Sequence, residues 1–133
     1  MLKVLCGDSA GELELSGTRS ELLALSRKLR SGEGETLLSK VSNPFPYSRS
    51  LSRIAVCQAS GKIMISSSGD GESLDVEGKL ESLHLLADNI EGFALEADQD
   101  DHLHVDYFPE HDYLAEGSGS LVVAIDSDAT QAS

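Results

Sequence analysis

The densest set of chemically capable groups lies in Asp100-Asp101-His102-Leu103-His104-Val105-Asp106-Tyr107-Phe108-Pro109-Glu110-His111-Asp112-Tyr113. Side chains alternate sides along a β-strand, so His102, His104 and Asp106 would share one face there, and Leu103, Val105 and Tyr107 the other. Two imidazoles and a carboxylate on one face, with His111 and Asp112 close in sequence, are the ligand types of a divalent metal site. One reading is therefore a metal-dependent enzyme or metal-binding protein centred on His102, His104 and Asp106. The simpler reading is a strand that buries Leu103 and Val105 and turns its polar face to water or a partner. Apart from lone His84, no distant histidine converges on this segment.

Other catalytic arrangements have less support. Paired carboxylates serve acid–base hydrolysis, but the acids here spread over a third of the chain and no pair stands out. The serines sit in runs such as Ser66-Ser67-Ser68, without a G-x-S-x-G elbow. Gly32-Glu33-Gly34 and Gly69-Asp70-Gly71 are acidic glycine turns, ill suited to phosphate, and no Walker or G-x-G-x-x-G pattern is present. The sequence predicts a binding protein with neither catalytic residues nor a cofactor.

Charge points the same way. The 133 residues carry a net charge of −13. All ten Lys and Arg lie within residues 1–79, balanced by ten Asp and Glu, so the excess belongs to the last 54 positions. Such a cation-free segment is unsuited to nucleic acid or to anionic membrane, both of which require cations. It would attract a cationic protein surface, through a field screened over about 8 Å at physiological salt. Five of the six aromatic rings fall in two proline-bearing stretches: Phe45 and Tyr47 near Pro44 and Pro46, and Tyr107, Phe108 and Tyr113 around Pro109. Rings on stiffened loops make interface anchors, or else fold back as lids on the core.

A diverged repeat must position these groups. Leu13-x-Leu15-x-Gly17 followed by Leu22, Leu25 and Leu29 returns 61 positions later as Leu74-x-Val76-x-Gly78 followed by Leu83, Leu86 and Ile90. Each half reads as strand, glycine turn and amphipathic helix. Thr18 and Glu21 have capping-box spacing, Arg27, Lys28 and Arg30 suit a helix C-terminus, and Gly32 is a stop. The second helix is expected over 79–91, capped at Gly78 and ended by Gly92. Further strands are expected at 2–6, 51–58, 62–67, 102–107 and 120–125. The pair 51–58 and 62–67 has a hairpin-like break at Ala59-Ser60-Gly61, and Leu37-Leu38 would form a short turn inside the long 31–50 connection. The expected architecture is α+β: two layers, with both helices on one face of a largely antiparallel sheet and an internal β-α-β-β repeat. A single domain would span 1–126, with 127–133 a flexible tail.

Cys6 and Cys57 stand apart in apolar surroundings and read as buried thiols. No apolar run approaches the ~20 residues of a membrane span, and Met1 to Cys6 runs straight into Gly7-Asp8 without a signal-peptide pattern. A cytoplasmic location follows as an expectation.

The strand–Gly–helix unit with its spaced leucines, His102-Leu103-His104-Val105-Asp106-Tyr107, and Leu114 to Ile125 with Ser120-Leu121-Val122-Val123 resemble bacterial immunity proteins of polymorphic toxin systems, in particular the immunity protein 32 family. The resemblance covers 72–125, and more weakly 12–31. It implies a small cytosolic inhibitor that binds one cognate protein toxin, often through an acidic surface against a basic site. Candidate contacts on this reading are Glu96, Asp98, Asp100, Asp101, Asp106, Glu110 and Asp112, with Tyr107, Phe108 and Tyr113. A self-associating structural module, its acidity serving solubility, is a third alternative.

Overall fold

The computed structural model describes residues 1–7, 12–43, 47, 49–67, 72–98 and 100–126. In chain order the elements are β1 (Lys3–Cys6), β2 (Glu12–Gly17), α1 (Arg19–Ser31), β3 (Gly34–Leu37), β4 (Arg49–Ser50), β5 (Arg53–Gln58), β6 (Met64–Ser67), β7 (Ser73–Gly78), α2 (Leu80–Glu96), β8 (His102–Val105) and β9 (Ser120–Ile125). The expected α+β class holds, with two helices and mostly antiparallel pairing.

The repeat is longer than the sequence pattern suggests. Lys3, Glu12 and Arg19 begin β1, β2 and α1, and Met64, Ser73 and Leu80 begin β6, β7 and α2, each 61 positions on. The unit is therefore β-β-α-β-β, and β6 opens the second copy instead of closing the first. Instead of one sheet, the strands form two, in the orders β4-β1-β2-β9-β8 and β3-β5-β7-β6. In each, the hairpin of one repeat pairs in parallel with the last strand of the other: β2 with β9, and β7 with β5. Parallel neighbours need long connections, and the intervening elements supply them. The hairpin anticipated between 51–58 and 62–67 does not form, because β7 lies between β5 and β6.

Gly17 and Gly78 end equivalent strands, yet neither has a positive φ. Their role is close packing. A Cβ on Gly17 would run into Leu2 Cδ2, and one on Gly78 would lie 2.8 Å from Ile63 Cγ1 and 2.9 Å from Ile63 Cα. Leu2 and Ile63 are themselves equivalent in the repeat. The turn role assigned to these glycines from sequence is thus replaced by a steric one.

One buried cluster joins both sheets and both helices. It includes Val4, Leu15 and Val123 from one sheet, Ile54, Leu74 and Val76 from the other, and Leu22, Leu25, Leu29, Leu83, Leu86 and Ile90 from the helices. Burying each such side chain contributes about 1.5–3 kcal/mol. The helices run antiparallel: Arg19 at the start of α1 donates to the Ala94 and Ala97 carbonyls at the end of α2, at 2.6 and 3.1 Å.

The anticipated capping box forms. Thr18 Oγ1 accepts from Glu21 N at 3.3 Å, while Glu21 Oε1 accepts from Thr18 N at 2.9 Å. Gly32 ends α1 at φ 84. By contrast, α2 starts after Lys79 without a side-chain cap and continues through Gly92 to Glu96. Packing of Ile90 and Ala94 into the core overrides the glycine's cost of about 1 kcal/mol.

Two local expectations also change. The 31–50 connection contains β3, an edge strand paired with β5, in place of a turn at Leu37-Leu38. Cys57 is exposed, since it alternates outward from β5, whereas Cys6 is buried; both are free thiols. Among the described residues, no helix is long and apolar enough to cross a membrane. Phe45, Pro44, Pro46, the Gly69-Asp70-Gly71 turn and the tail 127–133 lie outside the described residues.

Candidate partner-binding surface

The acidic segment begins on α2. Ser82, Leu83, Leu86, Ala87, Ile90 and Ala94 face inward, leaving Glu81, Leu85, Asp88, Asn89, Gly92, Leu95 and Glu96 exposed. Asp88 and Glu91 are taken by Arg30 of α1, at 2.7 and 3.0 Å. These bonds, the Asp88 contact foremost, raise the Arg30 pKa above its ordinary value. His84 Nε2 lies 2.9 Å from the Arg30 carbonyl, which can only accept, so this nitrogen carries the proton.

After Glu96 the chain turns sharply. Asp101 Oδ2 accepts from Asp98 N at 2.9 Å, and Asp101 N donates to the Asp98 carbonyl at 3.0 Å. Asp98, Asp100 and Asp101 are all exposed on this turn. β8 follows as an edge strand with the anticipated alternation: His102 and His104 exposed, Leu103 half-buried, Val105 buried. Asp106 is exposed just beyond it. Among the described residues, no group of three His, Cys, Asp or Glu is placed to hold a metal ion. His102 and His104 look outward without a converging third ligand, so the strand has the geometry of a polar face.

The loop from Asp106 to Gly119 is pinned from below. His111 is buried, and its Nδ1 accepts the backbone N–H groups of Tyr113 and Leu114. The Lys62 ammonium donates to the His111 carbonyl. Burial pushes the His111 pKa down, Asp112 opposes this, and the Lys62 charge adds to it. Asn89 Nδ2 donates to the Tyr113 hydroxyl at 2.6 Å, tying the loop to α2. Burial raises the Tyr113 pKa, against the Asn89 bond.

The three candidate rings differ in role. Tyr113 is buried, 6% exposed, and stacks edge-on against His111 at 4.6 Å. Tyr107 is half-buried against the core. Phe108 is 58% exposed on top of the loop, its ring 4.6 Å from that of His111. Only Phe108 is presented outward as an anchor would be, while Tyr107 and Tyr113 hold the loop beneath it. Glu110 is exposed with φ 67, a left-handed conformation that costs roughly 1–2 kcal/mol in a residue with a side chain. Asp112 is exposed as well. Among the described residues, Glu96, Asp98, Asp100, Asp101, Asp106, Glu110 and Asp112 form no ion pair.

A groove between α2 and β8 was not legible in the residue pattern. It has a volume of about 570 Å³, with Phe93 and Leu103 among its apolar lining and Asp88, Glu96 and Asp101 supplying carboxylates. Gly92 and Asn89 also line it. Reading Gly92 as a helix stop hides this groove, because it removes the last turn of α2.

Over residues 73–125 the chain matches the family model of immunity protein 32. The match spans β7, α2, β8 and β9, less than half of the chain. It agrees with the resemblance drawn from the residue pattern. No curated protein and no solved structure matches the chain.

Proposed function

We propose that this chain is an immunity-type binding protein that neutralises a cognate bacterial toxin by direct contact, without catalysis, in the cytoplasm. The observation that carries the reading is a coincidence of location. The segment similar to immunity protein 32 is also the segment whose carboxylates are largely free of cations. Carboxylates on α2, on the α2–β8 turn and on the following loop would steer a toxin with a basic surface, and Phe108 would hold it once docked. Steering by charge acts mainly on encounter rate and specificity, whereas desolvated anchors set residence time. An excess of carboxylates argues against a nucleic-acid or membrane partner.

The test is co-expression with the toxin-like product of the neighbouring gene. Wild-type chain should protect the host. Changing Asp100, Asp101 and Asp112 together to Asn should slow association and flatten its salt dependence. Full protection together with unchanged salt dependence would remove the acidic surface from the reading, and absence of any toxin binding by the wild-type chain would remove the reading itself.

A further inference from the structure

Each repeat sets a groove between its helix and the edge strand that follows it, but at different places along the two helices. The α1–β3 groove has a volume of about 240 Å³ and is lined by Leu2, Glu21, Leu25, Lys28 and Thr36, among others; of these, Lys28 alone has a repeat mate, Asn89, in the lining of the α2–β8 groove. The α2–β8 groove has about 570 Å³. Register fixes the repeat mates on the edge strands. Gly34 pairs with Val56, which pairs with Val76; Leu103 pairs with Val123, which pairs with Leu15. Leu15 and Val76 are repeat mates, so Gly34 and Leu103 are too.

In the first repeat the chain itself covers the place that corresponds to Asn89 and Leu103 of the larger groove. Lys28 lays its methylenes over Gly34, with Cδ 3.0 Å from where a Cβ would stand. Its ammonium then donates to the Glu35 carbonyl at 2.7 Å on the edge strand. The repeat mate of Lys28 is Asn89, which is shorter, uncharged and turned toward the Tyr113 hydroxyl. No Lys or Arg lines the larger groove, although Asp88, Glu96 and Asp101 do. At Gly92 a Cβ would meet nothing within 4 Å, so the fold itself does not call for a glycine on that wall. In a helix interior glycine is less favourable than alanine.

We infer that the α2–β8 groove receives a long cationic side chain, lysine or arginine, from the protein partner, in the place Lys28 fills in the first repeat. The methylenes pass over Gly92 and lie against Phe93 and Leu103, while the charge meets Glu96 and Asp101. A second copy of this chain is a poorer occupant. Arg19 and Arg30 of α1 are already committed to α2, and a two-fold pair would bring acidic faces together. The inference deepens the proposed function and rests on it for the identity of the partner.

Tetralysine, with tetraglycine as control, is the probe for the full-length chain, read by amide chemical shifts. Tetralysine should move the amides of Gly92, Phe93 and Leu103 in a saturable way, and tetraglycine should not. Asn89→Lys, which fills the groove from within, should abolish those shifts. Asn89→Ala, which loses the same Tyr113 bond without filling the groove, should retain them. Shifts spread evenly over all carboxylates, or shifts indifferent to Asn89→Lys in a folded protein, would overturn the inference, as would a concentration-dependent dimer blocked by Asn89→Lys. With the neighbouring toxin, Asn89→Lys should weaken binding at least tenfold. If wild type and Asn89→Lys bind that toxin equally, the groove assignment fails and the immunity reading stands. If wild type ignores the toxin but binds tetralysine at Gly92, the groove assignment stands and the immunity reading fails.

Discussion

The Nδ1 atom of His111 accepts the backbone N–H of Tyr113 at 3.1 Å, and it also accepts that of Leu114 at 3.0 Å. A ring nitrogen that accepts twice carries no proton, so the folded chain requires this imidazole to be neutral at Nδ1. The loop that presents Phe108 is therefore built on an uncharged histidine.

Stability should consequently depend on pH in the acid direction. Burial holds the His111 pKa below its ordinary 6.5, so as pH falls through that value the unfolded chain takes up a proton that the folded chain refuses. The contribution of His111 is complete above that pH and is lost progressively below it. Thermal melts between pH 8 and pH 5 should show a falling midpoint, with a shallower fall in His111→Ala. That variant should itself cost about 1–3 kcal/mol at neutral pH by leaving two backbone donors unpaired.

The two strand-end glycines should respond unequally to a single methyl group. At Gly78 the added Cβ meets the Ile63 backbone, which cannot swing aside, whereas at Gly17 it meets side chains alone, those of Leu2 and, at 3.2 Å, Glu21. Gly78→Ala should destabilise by about 1–3 kcal/mol, as overpacking does, and Gly17→Ala by less. Combining Gly17→Ala with Leu2→Ala should cost less than the sum of the two single changes, measured by denaturant unfolding.

Two arginines link the helices but should differ in weight. Arg19 satisfies carbonyls at the C-terminus of α2, while Arg30 pairs with exposed carboxylates. Arg19→Met should cost about 1.5–3 kcal/mol, the range for hydrogen bonds to charged groups. Arg30→Met should cost roughly 1 kcal/mol or less, and less still at high salt. Urea titrations at two ionic strengths distinguish them.

Phe108 and Tyr113 should separate binding from stability. Phe108→Ala should leave the melting temperature nearly unchanged and speed dissociation from the toxin, with a loss of about 2 kcal/mol or more if it is an anchor. Tyr113→Phe removes the hydroxyl that accepts from Asn89. It should cost about 0.5–1.5 kcal/mol of stability and leave the affinity of folded protein close to wild type.

The repeat, its helices and the face each strand turns inward were legible in the residue pattern, because hydrophobic period and capping chemistry are local. Thr18 with Glu21, Gly32 at the end of α1, and the alternation from His102 to Val105 all follow from neighbours within four positions. The acidity of the last 54 positions is likewise a property of sequence. Partnership of strands was not legible: β5 pairs with β7 rather than β6, and β2 with β9, since both sheets draw strands from both repeats. The β2–β9 pairing joins residues more than a hundred positions apart, such as Leu13 and Leu121, and no local pattern encodes it. Tertiary packing also carried α2 past Gly92, put Tyr113 inside and Phe108 outside, and opened a groove at Asn89, whose repeat mate Lys28 instead reaches across to β3. Burial is decided by whatever arrives from elsewhere in the chain, so these outcomes exist only once the two halves have interlocked.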